Sequence, residues 1–112
     1  MQTEAIILKN RNKYQKVYLS DILYCKTNGN YTKVITKREE FSIAKPLKLY
    51  ETELAKNGFY RINRNYLINL QHCTEIEING KTAHAFLENG EKIKISVRRV
   101  SRAINLFQKP KF

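Results

Sequence analysis

The chain has 112 residues, with 42% apolar and 28% charged types, the size and composition of one ordinary globular domain rather than a disordered, fibrous or bilayer-spanning chain. Its charge is unbalanced. Twenty-one Lys and Arg stand against ten Asp and Glu, a net of +11, and the pI is near 9.8. Such an excess repels itself in a compact state and suits a polyanionic partner, nucleic acid first and an anionic membrane surface second.

In chain order the pattern reads mostly as strands. Ala5–Leu8 is β-rich, and the polar stretch Lys9–Lys13 turns it back into Tyr14–Leu19 as a hairpin. Ser20-Asp21 marks a short turn before a strand over Ile22–Lys26. Thr27-Asn28-Gly29-Asn30 is a turn, Asn-Gly being its strongest signal. Tyr31–Thr36 alternates between two faces, and after the turn at Lys37–Glu40 a short strand covers Phe41–Ile43. The period then changes. Leu47, Leu49/Tyr50 and Leu54 follow Pro46 at helical spacing, which predicts a helix over Pro46–Lys56 stopped by Asn57-Gly58. Phe59–Ile62 is extended again, and Asn63–Leu70 is rich in Asn with an apolar part at Tyr66–Ile68 and Leu70. Thr74–Ile78 and Thr82–Leu87 form a hairpin around Asn79-Gly80-Lys81, and Glu88–Glu91 turns into Lys92–Ser96. Val97, Val100, Ile104 and Phe107 recur at helical spacing, which predicts a terminal helix over Val97–Phe107, ended by Pro110. The fold class is therefore mainly β: small antiparallel sheets of about eight to ten short strands with one short central helix and a C-terminal helix, residues 1–112 forming a single domain.

Several chemistries have no counterpart here. There is no Gly-rich phosphate loop, HExxH or GxSxG. Cys25 and Cys73 lie 48 positions apart in apolar surroundings and read as free buried thiols in a reducing cytoplasm, not as metal ligands. Met1–Leu8 carries Glu4 and has no basic segment followed by a long apolar core, so no secretion signal is expected. His72 and His84 read as structural or surface residues, and Glu75 and Glu77 as a solvated strand face with cross-strand Lys partners. No catalytic residue, metal site or cofactor is expected, and the chain reads as non-enzymatic.

The charge is also unevenly placed. Residues 75–91 carry four glutamates against Lys81, a local net of −3, whereas Lys92–Lys111 carries seven basic residues and no acid. Three segments at turns or element edges share one chemistry: Asn28-Gly29-Asn30-Tyr31, Arg61-Ile62-Asn63-Arg64-Asn65-Tyr66 and Ser96-Val97-Arg98-Arg99. Asn, Ser and backbone N–H groups suit phosphate oxygens, and Arg matches guanine O6/N7 with two parallel hydrogen bonds. Taken alone, these residues admit duplex DNA, RNA or another anionic partner. An RNA or anionic-surface module would stack bases on Tyr14, Tyr18, Tyr24 and Tyr31, although a core role is the more economical reading for most of them.

The order Asp21-Ile22-Leu23-Tyr24-Cys25, Gly29-Asn30-Tyr31, Lys45-Pro46-Leu47-Lys48-Leu49, Phe59 through Asn69, Asn89-Gly90 and Ile95 through Arg99 resembles the LytTR family of bacterial DNA-binding domains over roughly Ile6 to Phe107. The segment Phe59-Tyr60-Arg61-Ile62-Asn63-Arg64-Asn65-Tyr66-Leu67-Ile68-Asn69 and the run Ser96-Val97-Arg98-Arg99 are its most specific parts. The resemblance implies small antiparallel sheets whose loops, not a recognition helix, enter the major groove of bent duplex DNA. It implies base contacts by Tyr31, Arg64 and Arg98, and phosphate contacts by Asn28, Asn30, Asn63, Asn65, Ser96 and Arg99. It also implies a cytoplasmic transcription regulator that binds direct repeats in promoters, as the output domain of a two-component response regulator or as a stand-alone protein. A receiver domain and a second copy on DNA are the further partners it suggests. Two departures stand out: Lys26 where glutamate is common, and Asn63-Arg64-Asn65 where His-Arg-Ser is common. Asn69 reads as structural, fixing the turn after residues 61–68.

Overall fold

The computed structural model describes residues 4–109. In chain order these form β1 (Ala5–Asn10), β2 (Lys13–Tyr18), β3 (Ile22–Asn28), β4 (Tyr31–Thr36), β5 (Glu40–Ile43), α1 (Leu47–Leu54), β6 (Phe59–Asn63), β7 (Tyr66–Asn69), β8 (Cys73–Asn79), β9 (Thr82–Leu87), β10 (Lys92–Ile95) and α2 (Val100–Phe107). The strands build three antiparallel sheets, in the orders β1-β2, β5-β4-β3-β7-β6 and β10-β9-β8. The mainly β architecture with two short helices is the one expected.

The five-stranded sheet is covered on both faces, which explains why its strands read as apolar runs and not as clean alternation. One face carries Cys25, Val34, Phe41, Phe59 and Leu67, and packs against Leu8 and Val17 of the hairpin and Leu47, Tyr50 and Leu54 of α1. The other carries Leu23, Tyr24, Ile35, Ile62 and Ile68, and packs against Ala83, Ala85, Ile93 and Ile95 of the three-stranded sheet and Ala103 of α2. A register shift between Ile22 and Tyr24 is a bulge that lets the adjacent Leu23 and Tyr24 join the same core, where regular alternation would part them. Thr32, fully buried, is satisfied by donating its hydroxyl to the Lys45 carbonyl at 2.6 Å.

Helix boundaries are tighter than the periodicity suggests. Pro46 caps α1 from an extended conformation, and residues Ala55–Asn57 form a 3-10 turn that ends at Gly58, whose φ of 85° needs glycine. Val97–Arg99 is likewise a 3-10 turn, so the α-helix begins at Val100. Pro110 lies outside the described residues. The first hairpin is longer than expected, its turn reduced to Arg11-Asn12.

Two side-chain expectations are corrected. Of the four tyrosines read mainly as core, only Tyr24 is buried; Tyr14, Tyr18 and Tyr31 are exposed. The β1–β2 hairpin has one covered face, holding Leu8 and Val17, and Tyr14 and Tyr18 fall on the other. Glu75 and Glu77 lie opposite Phe86 and His84, not lysines. Lys92 and Lys94 sit one strand further across the sheet, beside those same two residues.

Cys25 and Cys73 are both buried, as expected. His72 and Asn69 have structural roles. The His72 ring lies 2.6 Å from the Ser20 carbonyl through Nε2 and 3.0 Å from Glu88 through Nδ1. Asn69 donates Nδ2 to the Leu19 and Ile22 carbonyls and accepts the Gln71 N–H, which caps the turn after β7 and ties it to the start of β3.

Candidate nucleic-acid interface

The three segments singled out above are separated by 29 residues each, yet antiparallel pairing brings them to one edge. β3 pairs with both β4 and β7, so the β3–β4 turn and the β6–β7 turn lie side by side. Thr27 joins them twice: its N–H donates to the Asn65 carbonyl at 3.0 Å, and its hydroxyl donates to Asn65 Oδ1 at 3.0 Å. The third segment follows β10. The Ser96 N–H donates to the Ile62 carbonyl at 2.8 Å, and Arg99 Nη1 donates to the Arg61 carbonyl at 2.9 Å.

Asn63 is the centre of this cross-bracing. Its Oδ1 accepts the N–H groups of Asn65 and Tyr66 at 2.7 and 3.0 Å, an Asx-type turn that shapes the backbone through Arg64. Its Nδ2 donates to the Lys94 carbonyl at 2.7 Å. One side chain thus sets the local turn and fixes its distance from the β10 segment. A register shift between Arg61 and Asn63 lifts the turn out of regular pairing.

Arg61 and Arg64 have opposite fates. Arg61 shares a strand face with Phe59, which packs on the α1 side, and its guanidinium reaches Glu51 of that helix at 3.0 Å and the Arg64 carbonyl at 2.5 Å. Arg64 stands at the tip of the turn, exposed. Arg98 is exposed on the 3-10 turn. Among the described residues neither side chain forms a hydrogen bond or ion pair. Tyr31, just beyond the Gly29-Asn30 turn, is 48% exposed. Gly29 has open space where a side chain would stand, so its φ of 64° and not crowding calls for glycine. Beside the edge, Tyr66 meets Tyr24 with ring centroids 5.7 Å apart, and the Lys26 ammonium lies 6.0 Å from the Tyr66 ring. Lys26 therefore adds positive charge beside Tyr66.

Exposed cations held on a cross-linked edge suit a polyanion, and the order of these segments in the chain decides the family. Residues 12–108 match the family model for the LytTr DNA-binding domain. The chain belongs to the LytTr DNA-binding domain family. It is 34% identical over 61 residues to the sensory transduction protein LytR of Staphylococcus saprophyticus, a match covering 54% of this chain and 24% of that protein. It is 28% identical over 85 residues to the transcriptional regulatory protein LytR of Staphylococcus aureus, covering 75% of this chain and 35% of that protein. To the heme-containing CO-sensing transcriptional regulator RcoM 1 of Paraburkholderia xenovorans it is 21% identical over 89 residues, covering 80% and 33% of the two chains. The chain thus spans about a quarter to a third of the length of these curated relatives. A solved LytTr DNA-binding domain from Bacillus cereus superimposes with a TM-score of 0.80 at 22% identity, covering 96% of this chain and 99% of that one. The likeness establishes the same fold.

Sequence reasoning located the three segments of this LytTr domain but missed Thr27, Glu51 and the bracing role of Arg61. Strand parity carried a signal for Arg61: it sits two residues from Phe59 and so shares the face of an apolar anchor, whereas Arg64 lies past the last paired position. Thr27 and Glu51 act through partners 38 and 10 positions away, and nothing local announces them. A groove of about 400 Å³ between the ends of α1 and α2 is lined by Leu19, Phe59, Leu70, Leu106 and Phe107. It lies at the end of β6–β7 away from the Arg64 turn.

Proposed function

We infer that this LytTr domain binds double-stranded DNA in a sequence-dependent way through the β3–β4 turn, the β6–β7 turn and the Ser96–Arg99 segment. The observation that carries this reading is the contrast within one edge. Arg64 and Arg98 are exposed with no side-chain bond among the described residues, while Asn63, Arg61 and Arg99 stitch together the backbone beneath them. A guanidinium presented from a fixed backbone can meet both acceptors of a guanine edge without first losing the freedom of the loop. Tyr31, Arg64 and Arg98 read bases in the major groove. Asn28, Asn30 and Ser96 donate to phosphates. Asn65 and Arg99 join them with the atoms left over from bracing, and Asn63 serves chiefly to hold the turn.

In this reading the domain is the output part of a cytoplasmic transcription regulator. The curated relatives are named as sensory transduction or transcriptional regulatory proteins and are three to four times its matched length, which supports a receiver or sensor domain as its companion. Net charge supplies the long-range attraction, so affinity should fall steeply with salt.

Selection of bound duplexes from a randomised library tests the assignment. Enrichment of a recurring sequence, with two copies in direct repeat, is the expected result. Recovery of no preferred sequence, or equal retention of single-stranded RNA and anionic vesicles, rules it out. A flat dependence of log K on log[salt] would remove the phosphate contacts from the account.

A further inference from the structure

Arg61 donates in two directions at once. Nη1 reaches Glu51 Oε1 at 3.0 Å and Nη2 reaches the Arg64 carbonyl at 2.5 Å, so one planar fork joins helix α1 to the backbone of the β6–β7 turn. The Arg61 side chain is mostly covered, at 18% exposure, and that of Glu51 is partly so, at 37%. Glu51 lies outside the stripe by which α1 packs, which is Leu47, Tyr50 and Leu54. Its carboxylate therefore does little for the core. Beside a surface that attracts a polyanion it subtracts from the attraction, and it does so equally for every sequence. A carboxylate in that place needs another effect to offset this cost.

We propose that Glu51 is a positioning residue for duplex readout: by orienting Arg61 it fixes the Arg64 carbonyl, and with it the backbone that aims the Arg64 side chain. The proposal rests on the duplex reading above. Arginine has several rotatable bonds, and an unpaired guanidinium samples many of them. The carboxylate selects the arrangement in which the second N–H pair meets the Arg64 carbonyl. Lysine cannot take this part, because a single ammonium offers no rigid fork to bridge two acceptors. Losing Glu51 releases a cation near the DNA and removes an anion, so binding to any duplex strengthens while discrimination weakens.

Two probes suffice: a duplex recovered by the wild-type domain from a randomised library, and the same duplex with its sequence scrambled. With Glu51→Ala, affinity for the scrambled duplex is expected to rise, while the ratio of selected to scrambled affinity falls about tenfold, roughly the effect of one charge-assisted hydrogen bond. A ratio left unchanged while both affinities rise makes Glu51 a mere repulsive charge and overturns the proposal. Arg61→Ala should lower the ratio similarly, and the Glu51→Ala/Arg61→Ala double variant should lower it no further, because the two side chains act as one unit. Multiplying losses overturn it, and so does a wild-type ratio in Arg61→Lys. A readout without DNA is amide hydrogen exchange at Asn65 and Tyr66, whose N–H groups donate within the turn. Faster exchange in Glu51→Ala is expected, and unchanged exchange refutes the brace. If the wild-type domain itself fails to tell the two duplexes apart, the duplex reading falls and the positioning role falls with it. If it discriminates and the variant does so equally, only the role of Glu51 falls.

Discussion

Two regions of this domain carry matching charge and differ in almost everything else. The β1–β2 hairpin holds Lys9, Arg11, Lys13 and Lys16, and the loop edge holds Arg61, Arg64, Arg98 and Arg99. On the hairpin the cations line a two-stranded ribbon whose outer face also exposes Ile7, Tyr14 and Tyr18. The bond from Lys9 Nζ to the Arg11 carbonyl, 3.1 Å, stays within the turn. On the loop edge Arg61 and Arg99 are built into the backbone scaffold, and Arg64 and Arg98 stand on it. The comparison teaches that the number of charges does not locate a reading surface. Fixed presentation does, because a cation on a mobile side chain attracts every phosphate alike, while one aimed from a rigid turn can distinguish a base edge.

The largest effect expected from this difference is on the selected duplex. Arg64→Ala and Arg98→Ala should each weaken it by about 1–3 kcal/mol and weaken scrambled DNA far less. Equilibrium binding to both duplexes at one salt concentration measures this. Equal losses on the two would make the loop edge another hairpin, and the contrast would disappear.

Asn63→Ala should come next. It deletes two acceptor contacts and one donor contact without touching an exposed cation. The expected cost is about 1–2 kcal/mol of stability in denaturant titration, with a parallel fall in the selected-to-scrambled ratio. Unchanged stability and equal losses of affinity for selected and scrambled DNA would instead return Asn63 to the phosphate contacts.

How much of this was legible in the sequence depends on how far apart the cooperating residues lie. The period-2 runs, the Asn-Gly turns and the apolar spacing of α1 and α2 are local, and strands and helices appear nearly where they suggest. The turns that strand pairing gathers at one edge were legible too, since Asn and Gly mark them. Bracing was not. Asn63 looks like a phosphate donor in a linear string because its acceptor, the Lys94 carbonyl, is 31 positions away. Tyr14 and Tyr18 read as core because β-strand aromatics usually pack. Only the sheet order shows that the first hairpin forms a ribbon of its own with one open face.

Alkaline pH sharpens the comparison from below, through the cores that hold the loop edge in place. Burial, with Glu91 nearby, pushes the Tyr24 hydroxyl up to about 12. Burial also raises the Tyr50 hydroxyl and the Cys25 thiol to about 12. All three keep their protons when folded at pH values where the unfolded chain releases them. The folded state then binds more protons, so stability is complete below about pH 9 and falls as pH rises through 10 toward 12. Duplex binding should be lost together with near-UV ellipticity over that window. Binding lost while the tertiary signal persists would move the cause from the cores to the loops themselves.

The smallest effect should come from the hairpin. Lys9→Gln, Lys13→Gln and Lys16→Gln each remove one cation from a ribbon that forms a sheet of its own. Stability should change by well under about 1 kcal/mol, since Lys9 loses only an exposed bond to the Arg11 carbonyl and an approach to the exposed Tyr14 ring at 5.7 Å. Each variant should flatten the salt dependence by at most about one unit of slope, and by the same amount for selected and scrambled DNA. The ratio of the two affinities is the decisive quantity. If it holds while the slope drops, the hairpin contributes attraction without readout. If it falls, the hairpin touches the duplex at a defined register, and its exposed Tyr14 and Tyr18 belong to the interface as well.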